Sequence, residues 1–310
     1  MTTPVTSVAF FGPVGTFTEE ALLTQPDYAA AALEPRSTIA DVLDAVASGQ
    51  VDVGFVPIEN AIDGMVRDTL DALIFDVDLL IQREVVLDIH LHLMAPPGTD
   101  LSSVRRVLSY PVALAQCRRT LTDQLPDVEL VAATSTADAA RVVGEHPEPG
   151  TAAVAPRLAA DLYGLSILLD DVEDFPDNQT RFLAVAAAGI PEPTGHDRTS
   201  IVCFQGDDHP GSLHGILGQF AARNINLTRL ESRPTKRGLG DYCFAIDLAG
   251  HLGDEVVADC LRDLHAELAG VKLLGSYPAA GRHAVVRRQQ VDQAWREADA
   301  WLAGLRGQIG

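Results

Sequence analysis

Between residues 7 and 188, short apolar runs alternate with stretches of helical periodicity, and that alternation admits little besides an α/β fold. Strands are expected over residues 8–11, 53–57, 79–94, 106–109, 128–132, 152–155 and 182–187. Helices are expected over 18–23, 39–48, 65–73, 111–125, 136–145 and 156–162. The run 79–94 is long enough to cross between two lobes. Residues 189–196 are rich in proline and glycine and read as a linker. Beyond it the pattern becomes β-α-β-β-α-β, over 199–205, 212–223, 227–233, 242–248, 254–269 and 271–277. That order is the ferredoxin-like split βαβ arrangement.

The layout is therefore a two-lobed α/β domain over 6–188, crossing near 79–94 and 165–182. A linker over 189–197, a second domain over 198–278 and a tail over 279–310 follow. In the tail, Val291, Trp295, Ala298, Leu302 and Leu305 keep the rhythm of one helix face, suited to docking on the chain's own domain or on a neighbouring subunit.

Charge narrows the partners. With 23 basic and 43 acidic residues the formal net charge is -20, which argues against nucleic acid and anionic membrane. It also sets a problem: an anionic substrate would be repelled by the global field and must be held by local groups. No stretch is long and apolar enough to span a bilayer, and the first residues have neither the basic region nor the apolar core of a signal peptide. Cys117, Cys203, Cys243 and Cys260 are scattered without metal-ligand spacing, as expected of thiols in a reducing cytoplasm. No structural metal is indicated.

Local groups able to hold an anion recur where strands end. Gly12-Pro13-Val14-Gly15-Thr16-Phe17-Thr18-Glu19 places Thr16 and Glu19 at capping-box spacing. Ser109-Tyr110-Pro111 puts a hydroxyl before a proline suited to the first helical position, and Ser135 with Asp138 repeats the box. The turn from Pro57 to Gly64, containing Glu59 and Asn60, is a fourth. Each helix start exposes backbone N–H groups and the positive end of a dipole. Several converging on one cleft would bind carboxylates without a basic patch.

Residues 178–182, Asn-Gln-Thr-Arg-Phe, place an amide, a hydroxyl and a guanidinium where an acidic loop becomes an apolar strand. Polar groups at such a point are either paired or positioned on a ligand. Ser109 and Gln116 are seven apart and would share one helix face. Arg181 is suited either to clamping a carboxylate or to pairing with the acidic loop 170–174. Phe182 is suited to packing more than to stacking on a ligand. Glu59 would orient its neighbours or cap the turn.

With these residues in view, the chain resembles the prephenate dehydratases that carry a C-terminal ACT domain. The resemblance rests on residues 12–18, on Pro57-Ile58-Glu59-Asn60 with Gly64, on Ser109 with Gln116, on Thr134-Ser135-Thr136 and on Thr180-Arg181-Phe182. Gly211-Ser212-Leu213-His214 and Glu231-Ser232-Arg233-Pro234 resemble the family's two regulatory motifs. Two departures stand out: Ser212 and His214 replace small or aliphatic residues, and Ala61 replaces a serine.

The resemblance implies a lobed fold similar to periplasmic binding proteins, with the active site between the lobes. It implies loss of the ring hydroxyl and ring carboxylate of prephenate, giving phenylpyruvate, water and carbon dioxide, without cofactor or metal. It places the essential threonine at Thr180, and substrate contacts at Thr16, Glu59, Asn60, Ser109, Gln116, Ser135, Arg181 and Phe182. L-phenylalanine is implied as feedback effector at Gly211, Ser212, Leu213, His214, Asn224, Glu231, Ser232, Arg233 and Pro234, in a homodimer or homotetramer. Because aromatisation drives the reaction, Thr180 need only hydrogen-bond the departing hydroxyl. A neutral cleft would also ease loss of carbon dioxide from the ring carboxylate. Arogenate as substrate and a non-catalytic, amino-acid-responsive binding protein are the alternatives.

Overall fold

A computed structural model of the chain describes residues 4–206, 209–236, 238, 240–280, 300–301 and 303–307. In chain order the first elements are β1 (Ser7–Phe11), α1 (Phe17–Leu23), α2 (Pro26–Ala29), β2 (Ala32–Arg36) and α3 (Ile39–Ala47). Next come β3 (Val53–Asn60), β4 (Gly64–Met65), α4 (Arg67–Asp71) and β5 (Leu80–Asp88). Then follow β6 (His92–Ala95), β7 (Arg106–Ser109), α5 (Pro111–Gln116), α6 (Arg118–Gln124) and β8 (Glu129–Ala132). The stretch closes with α7 (Thr136–Glu145), β9 (Thr151–Ala155), α8 (Arg157–Tyr163), β10 (Ser166–Leu169) and β11 (Gln179–Ala186).

These strands form two sheets. The first runs β2-β1-β3-β11-β5, with β4 paired to β3, and the second runs β10-β6-β9-β7-β8. The second sheet shows most clearly how sequence period sets packing. Leu93, Ala95, Ala152 and Val154 face a core shared with Leu114 and Leu121, from α5 and α6. The alternate residues Met94, Ala153 and Ala155 face Ala139 and Val143 of α7 and Ala159 of α8. Both faces are buried, so these strands read as continuous apolar runs. In the first sheet Val8, Phe10, Phe55, Phe182 and Ala184 pack against Ala21 and Leu22 of α1. Phe17 and Leu87 pack against the cores of both sheets.

The chain passes between the sheets twice. The expected long strand over 79–94 is broken, because Ile89, His90 and Leu91 lie outside β5 and β6 and carry the chain across. Residues 170–178 carry it back. The two passages are tied together: Ile89 N–H donates to the Asn178 carbonyl at 2.8 Å, and Val172 N–H donates to the Leu91 carbonyl at 2.7 Å. The buried Glu173 carboxylate accepts from Leu91 N–H at 2.9 Å.

The structure corrects several other expectations. β2 and β10 went unforeseen; both are edge strands, where Pro35 is tolerated and burial is partial. The expected helix over 111–125 is two helices, divided at Cys117. Residues 57–64 form no helix start but a hairpin, with Glu59 opposite Met65 and Asn60 opposite Gly64.

The chain divides into two compact units: Met1–Ala72 with Val85–Ala184, and Leu73–Glu84 with Val185–Gly310. The second unit takes in residues 73–84 as well as the expected C-terminal domain. Its β12 (Asp197–Phe204), α9 (Ser212–Ala222), β13 (Leu227–Pro234), β14 (Tyr242–Ala249), α10 (Glu255–Glu267) and β15 (Gly270–Pro278) follow the expected βαββαβ order. Their sheet is antiparallel, ordered β13-β14-β12-β15. Ile201, Phe244, Ile246 and Leu248 bury one face under Phe220 of α9 and Val257 of α10.

On the opposite face Asp247 is fully buried and bound by Arg229 through two contacts of 2.9 Å, with Ser200 donating at 2.6 Å. Residues 73–84 lie against β15: Lys272 Nζ donates to the Val77 carbonyl at 2.8 Å. Gly275 has φ +155°, and a Cβ there would stand 2.6 Å from the Ile81 carbonyl, so only glycine admits the approach. Among the described residues no helix is long and apolar enough to cross a membrane. Of the expected tail face, Val291, Trp295, Ala298 and Leu302 lie outside the described residues; Trp301 is helical and exposed.

Candidate active site

Thr180 is the second residue of β11, where the strand emerges from the returning passage. It continues the strand face that carries Phe182 and Ala184 into the core. Across from it stands Asn60, the last residue of β3. The Asn60 amide oxygen accepts from Ile62 N–H at 2.9 Å and Asp63 N–H at 3.0 Å. Backbone N–H groups can only donate, so the orientation of this amide is fixed. Its NH2 is thereby turned toward β11, donating to Asn178 Oδ1 at 3.0 Å and to Thr180 Oγ1 at 2.9 Å. Ala61 N–H donates to the Gln179 carbonyl at 2.8 Å, so the position where a serine was the common form contributes its backbone here.

The consequence for Thr180 is chemical. Its oxygen accepts a hydrogen bond, so its own proton is directed away from Asn60. Among the described residues the bond from Asn60 is the one its hydroxyl makes. Donation into Oγ1 also withdraws charge from the hydroxyl and strengthens it as a donor.

Gln116, from the second sheet's helix α5, reaches the same place and is buried. It accepts from Asn178 Nδ2 at 3.1 Å and donates to Asp63 Oδ2 at 2.6 Å. Ser109 does not accompany it. It ends β7, before the helix begins, and its fully buried hydroxyl donates to the Val154 carbonyl at 2.6 Å. The expected shared helix face is therefore not formed, and Ser109 ties β7 to β9.

Arg181 and Glu59 pair at 3.6 Å, with the Arg181 side chain mostly buried. The acidic loop expected as a partner is engaged elsewhere: Asp170 binds Arg157, and Asp174 accepts from Arg119 N–H and Thr120 N–H, each at 2.9 Å. Phe182 is 1% exposed and stacks on Phe55, ring centroids 5.6 Å apart and 10° from parallel. A substrate contact from Phe182 is thus corrected to core packing.

Thr16 caps α1 and accepts from Glu19 N–H at 3.5 Å, while Glu19 reaches back to Gly15 N–H in place of the cap's own. Ser135 caps α7 at 2.9 Å from Asp138 N–H, and Asp138 bonds Thr134 and Arg141. Both cap oxygens thus already accept a helical N–H. Asn178 and Asp63 were not anticipated as site residues. The signal for Asn178 was an amide two positions before Thr180, on the boundary of a buried strand; for Asp63, nothing local distinguished it from a turn residue.

In the second unit the expected effector residues sit at two places. Gly211, with φ +95°, caps α9, whose first residues are Ser212, Leu213 and His214; Ser212 exchanges hydrogen bonds with His209. Asn224 adopts φ +53° at the turn before β13. Along β13, Glu231 and Arg233 share the half-buried face of Arg229, while Ser232 and Pro234 lie exposed on the other face with Leu230.

Among the described residues, those able to offer three ligand atoms to one metal ion are His90, Asp171 and Glu173, whose atoms lie within 4.8 Å of one another. His90 Nδ1 is 3.3 Å from each carboxylate, an ordinary imidazole–carboxylate pairing. Nearby, burial pushes the His92 imidazole below its ordinary value of 6.5, and Arg157 adds to this against Asp170, Asp171 and Glu173. The unfolded chain then binds more protons than the folded one between the lowered value and 6.5, so stability is full above that range and falls as pH drops through it. His92→Gln is expected to flatten the fall in urea midpoint between about pH 7.5 and about pH 5.5.

A family model described as prephenate dehydratase matches residues 8–189, and one described as ACT domain matches residues 199–266. A prephenate dehydratase of Mycolicibacterium vanbaalenii is 44% identical over 314 residues, covering 96% of this chain and 98% of that protein. The prephenate dehydratase of Arthrobacter aurescens, solved in complex with L-Phe, superposes with a TM-score of 0.89 at 41% identity, covering 97% of this chain and 99% of that one. GqqA, described as a novel type of quorum quenching acylase, superposes with a TM-score of 0.80 at 32% identity, covering 88% of this chain and 98% of that one.

Proposed function

The chain belongs to the prephenate dehydratase family and carries an ACT domain, and on that premise we propose how its own residues perform and regulate the reaction. The reaction converts prephenate to phenylpyruvate, carbon dioxide and water. The bond from the ring to its carboxylate breaks, and that electron pair enters the ring. The ring's bond to the hydroxyl oxygen breaks, and the departing hydroxide takes up one proton to leave as water.

The observation that carries the reading is the bond from Asn60 Nδ2 to Thr180 Oγ1, which leaves the Thr180 proton available to the departing oxygen. A donor so placed acts where charge develops in the transition state. Thr180 is a hydrogen-bond donor here, and the proton that completes water is drawn from solvent. Arg181, paired with Glu59, supplies a guanidinium for a substrate carboxylate. Thr16 and Ser135 mark helix starts suited to the substrate's anionic groups. The neutral amides of Asn60 and Gln116 hold polar groups without stabilising the ring carboxylate that must be lost.

L-phenylalanine acts at the ACT domain, through Gly211–His214, Asn224 and residues 231–234. Support comes from the L-Phe complex of the Arthrobacter aurescens relative. The edge position of β13 and the exposure of Leu230 and Tyr242 favour a homodimer or homotetramer. Four free, buried cysteines favour a reducing, cytoplasmic setting. Incubation of the purified chain with prephenate or arogenate, each with and without L-phenylalanine, tests the reading. Turnover of prephenate that L-phenylalanine depresses is expected; preference for arogenate would reassign the substrate, and turnover of neither would remove the enzymatic reading.

A further inference from the structure

Four side chains and one backbone N–H beside Thr180 close a ring of hydrogen bonds. Gln116 Nε2 donates to Asp63 Oδ2 at 2.6 Å, and Asn178 Nδ2 donates to Gln116 Oε1 at 3.1 Å. Asn60 Nδ2 donates to Asn178 Oδ1 at 3.0 Å, and Asp63 N–H donates to Asn60 Oδ1 at 3.0 Å. Every bond runs in the same sense. Asn178 is 1% exposed and Gln116 is 7% exposed, so a reversed amide could not turn to water for a partner.

The sense is dictated at both ends. At one end the N–H groups of Ile62 and Asp63 require the Asn60 oxygen. At the other the Asp63 carboxylate accepts only and requires the Gln116 NH2. Between them Asn178 must present its oxygen to Asn60 and its NH2 to Gln116. Asn60 can therefore only donate to Thr180, and the Thr180 proton is left for the substrate.

We propose that Asp63 and Asn178 are positioning residues that, through Gln116 and Asn60, hold the Thr180 hydroxyl in its donating orientation. This rests on the reading of Thr180 as donor. It assigns roles to two residues that act through Gln116 and Asn60. It also ties the two sheets together beside Thr180, since Gln116 ends α5, which follows β7 of the second sheet, while Asn60 ends β3 of the first and Asp63 lies in the turn after it.

Reversing charges around the ring tests it. Asn178→Asp places a carboxylate against Gln116 Oε1; if Gln116 turns to donate to it, the Gln116 oxygen meets Asp63. Adding Asp63→Asn restores a consistent ring of opposite sense between these positions. The new amide at position 63 donates to Gln116, and Gln116 donates to the new carboxylate at position 178, which still accepts from Asn60. Gln116→Glu is relieved in the same way by Asp63→Asn, which keeps the test open if Asn178→Asp does not fold.

Asn178→Asp is expected to lower kcat by about 100-fold with KM within about threefold, Gln116→Glu to lower kcat by about as much, and Asp63→Asn alone to lower it by less than about tenfold. Adding Asp63→Asn should raise the kcat of either variant by about tenfold or more. Losses that multiply in both double variants would overturn the proposal. Thr180→Ala separates the two readings: if it keeps the parent kcat, the donor role fails; if it loses activity and neither rescue occurs, the positioning role alone fails.

Discussion

Thr180→Ala is expected to lower kcat for prephenate by about 100- to 1,000-fold, roughly 3–4 kcal/mol of transition-state stabilisation. The magnitude follows from what the hydroxyl does. It gains most when charge develops on the departing oxygen, so its removal should appear in kcat more than in KM. Truncation also leaves the Asn60 NH2, which donates to Thr180 at 2.9 Å, with one partner fewer. Because Thr180 is half-buried at the start of β11, the melting temperature should change little. Steady-state kinetics beside a thermal melt checks both statements.

Phe182→Ala is expected to destabilise the first unit by about 3–5 kcal/mol, the range for emptying a buried aromatic site. Phe182 is 1% exposed and stacks on Phe55 among Val8, Phe10, Ala21 and Leu22. Loss of the ring pair itself accounts for about 0.5–1.5 kcal/mol of this. Set against a usual total of about 5–15 kcal/mol, the change should lower the melting temperature by about 10 °C. Phe182→Leu should recover most of the loss. Were Phe182 a substrate contact instead, Phe182→Ala would raise KM and leave the melt unmoved.

What the sequence disclosed and what it hid divide along physical lines. The βαββαβ elements of the C-terminal unit were legible to within about two residues, because strand-like and helix-like stretches alternate there across short turns, whereas the inclusion of residues 73–84 in that unit was not. The helix starts at Thr16 and Ser135 were legible because a cap acts on backbone three residues away. β2 escaped because Pro35 argues against a strand, and only the sheet order shows that the strand lies on an edge. Cys117 looked helical by propensity, yet the helix breaks there with φ −109° and ψ 3°.

The site divides in the same way. Thr180 and Asn60 could be named from the family resemblance, but not their bond, which joins residues 120 apart in sequence. Ser109 was misplaced because a seven-residue spacing implies a shared face only if both residues are helical, and Ser109 ends a strand. Asp63 carried no local mark of its role, and Asn178 showed only an amide at the boundary of a buried strand, which does not disclose its partners. Their hydrogen bonds to Gln116 span 53 and 62 residues, and only the two passages between the sheets bring them together.

The central claim is that the Thr180 hydroxyl, held as a donor, assists the departing oxygen of prephenate. It is tested most directly by comparing kcat for Thr180→Ser and Thr180→Val. Serine keeps the hydroxyl without the methyl, and valine keeps the branched shape without the hydroxyl. The serine variant should retain kcat within about tenfold of the parent, and the valine variant should fall about 100-fold or more below it. Equal values of kcat in the two variants would contradict the claim.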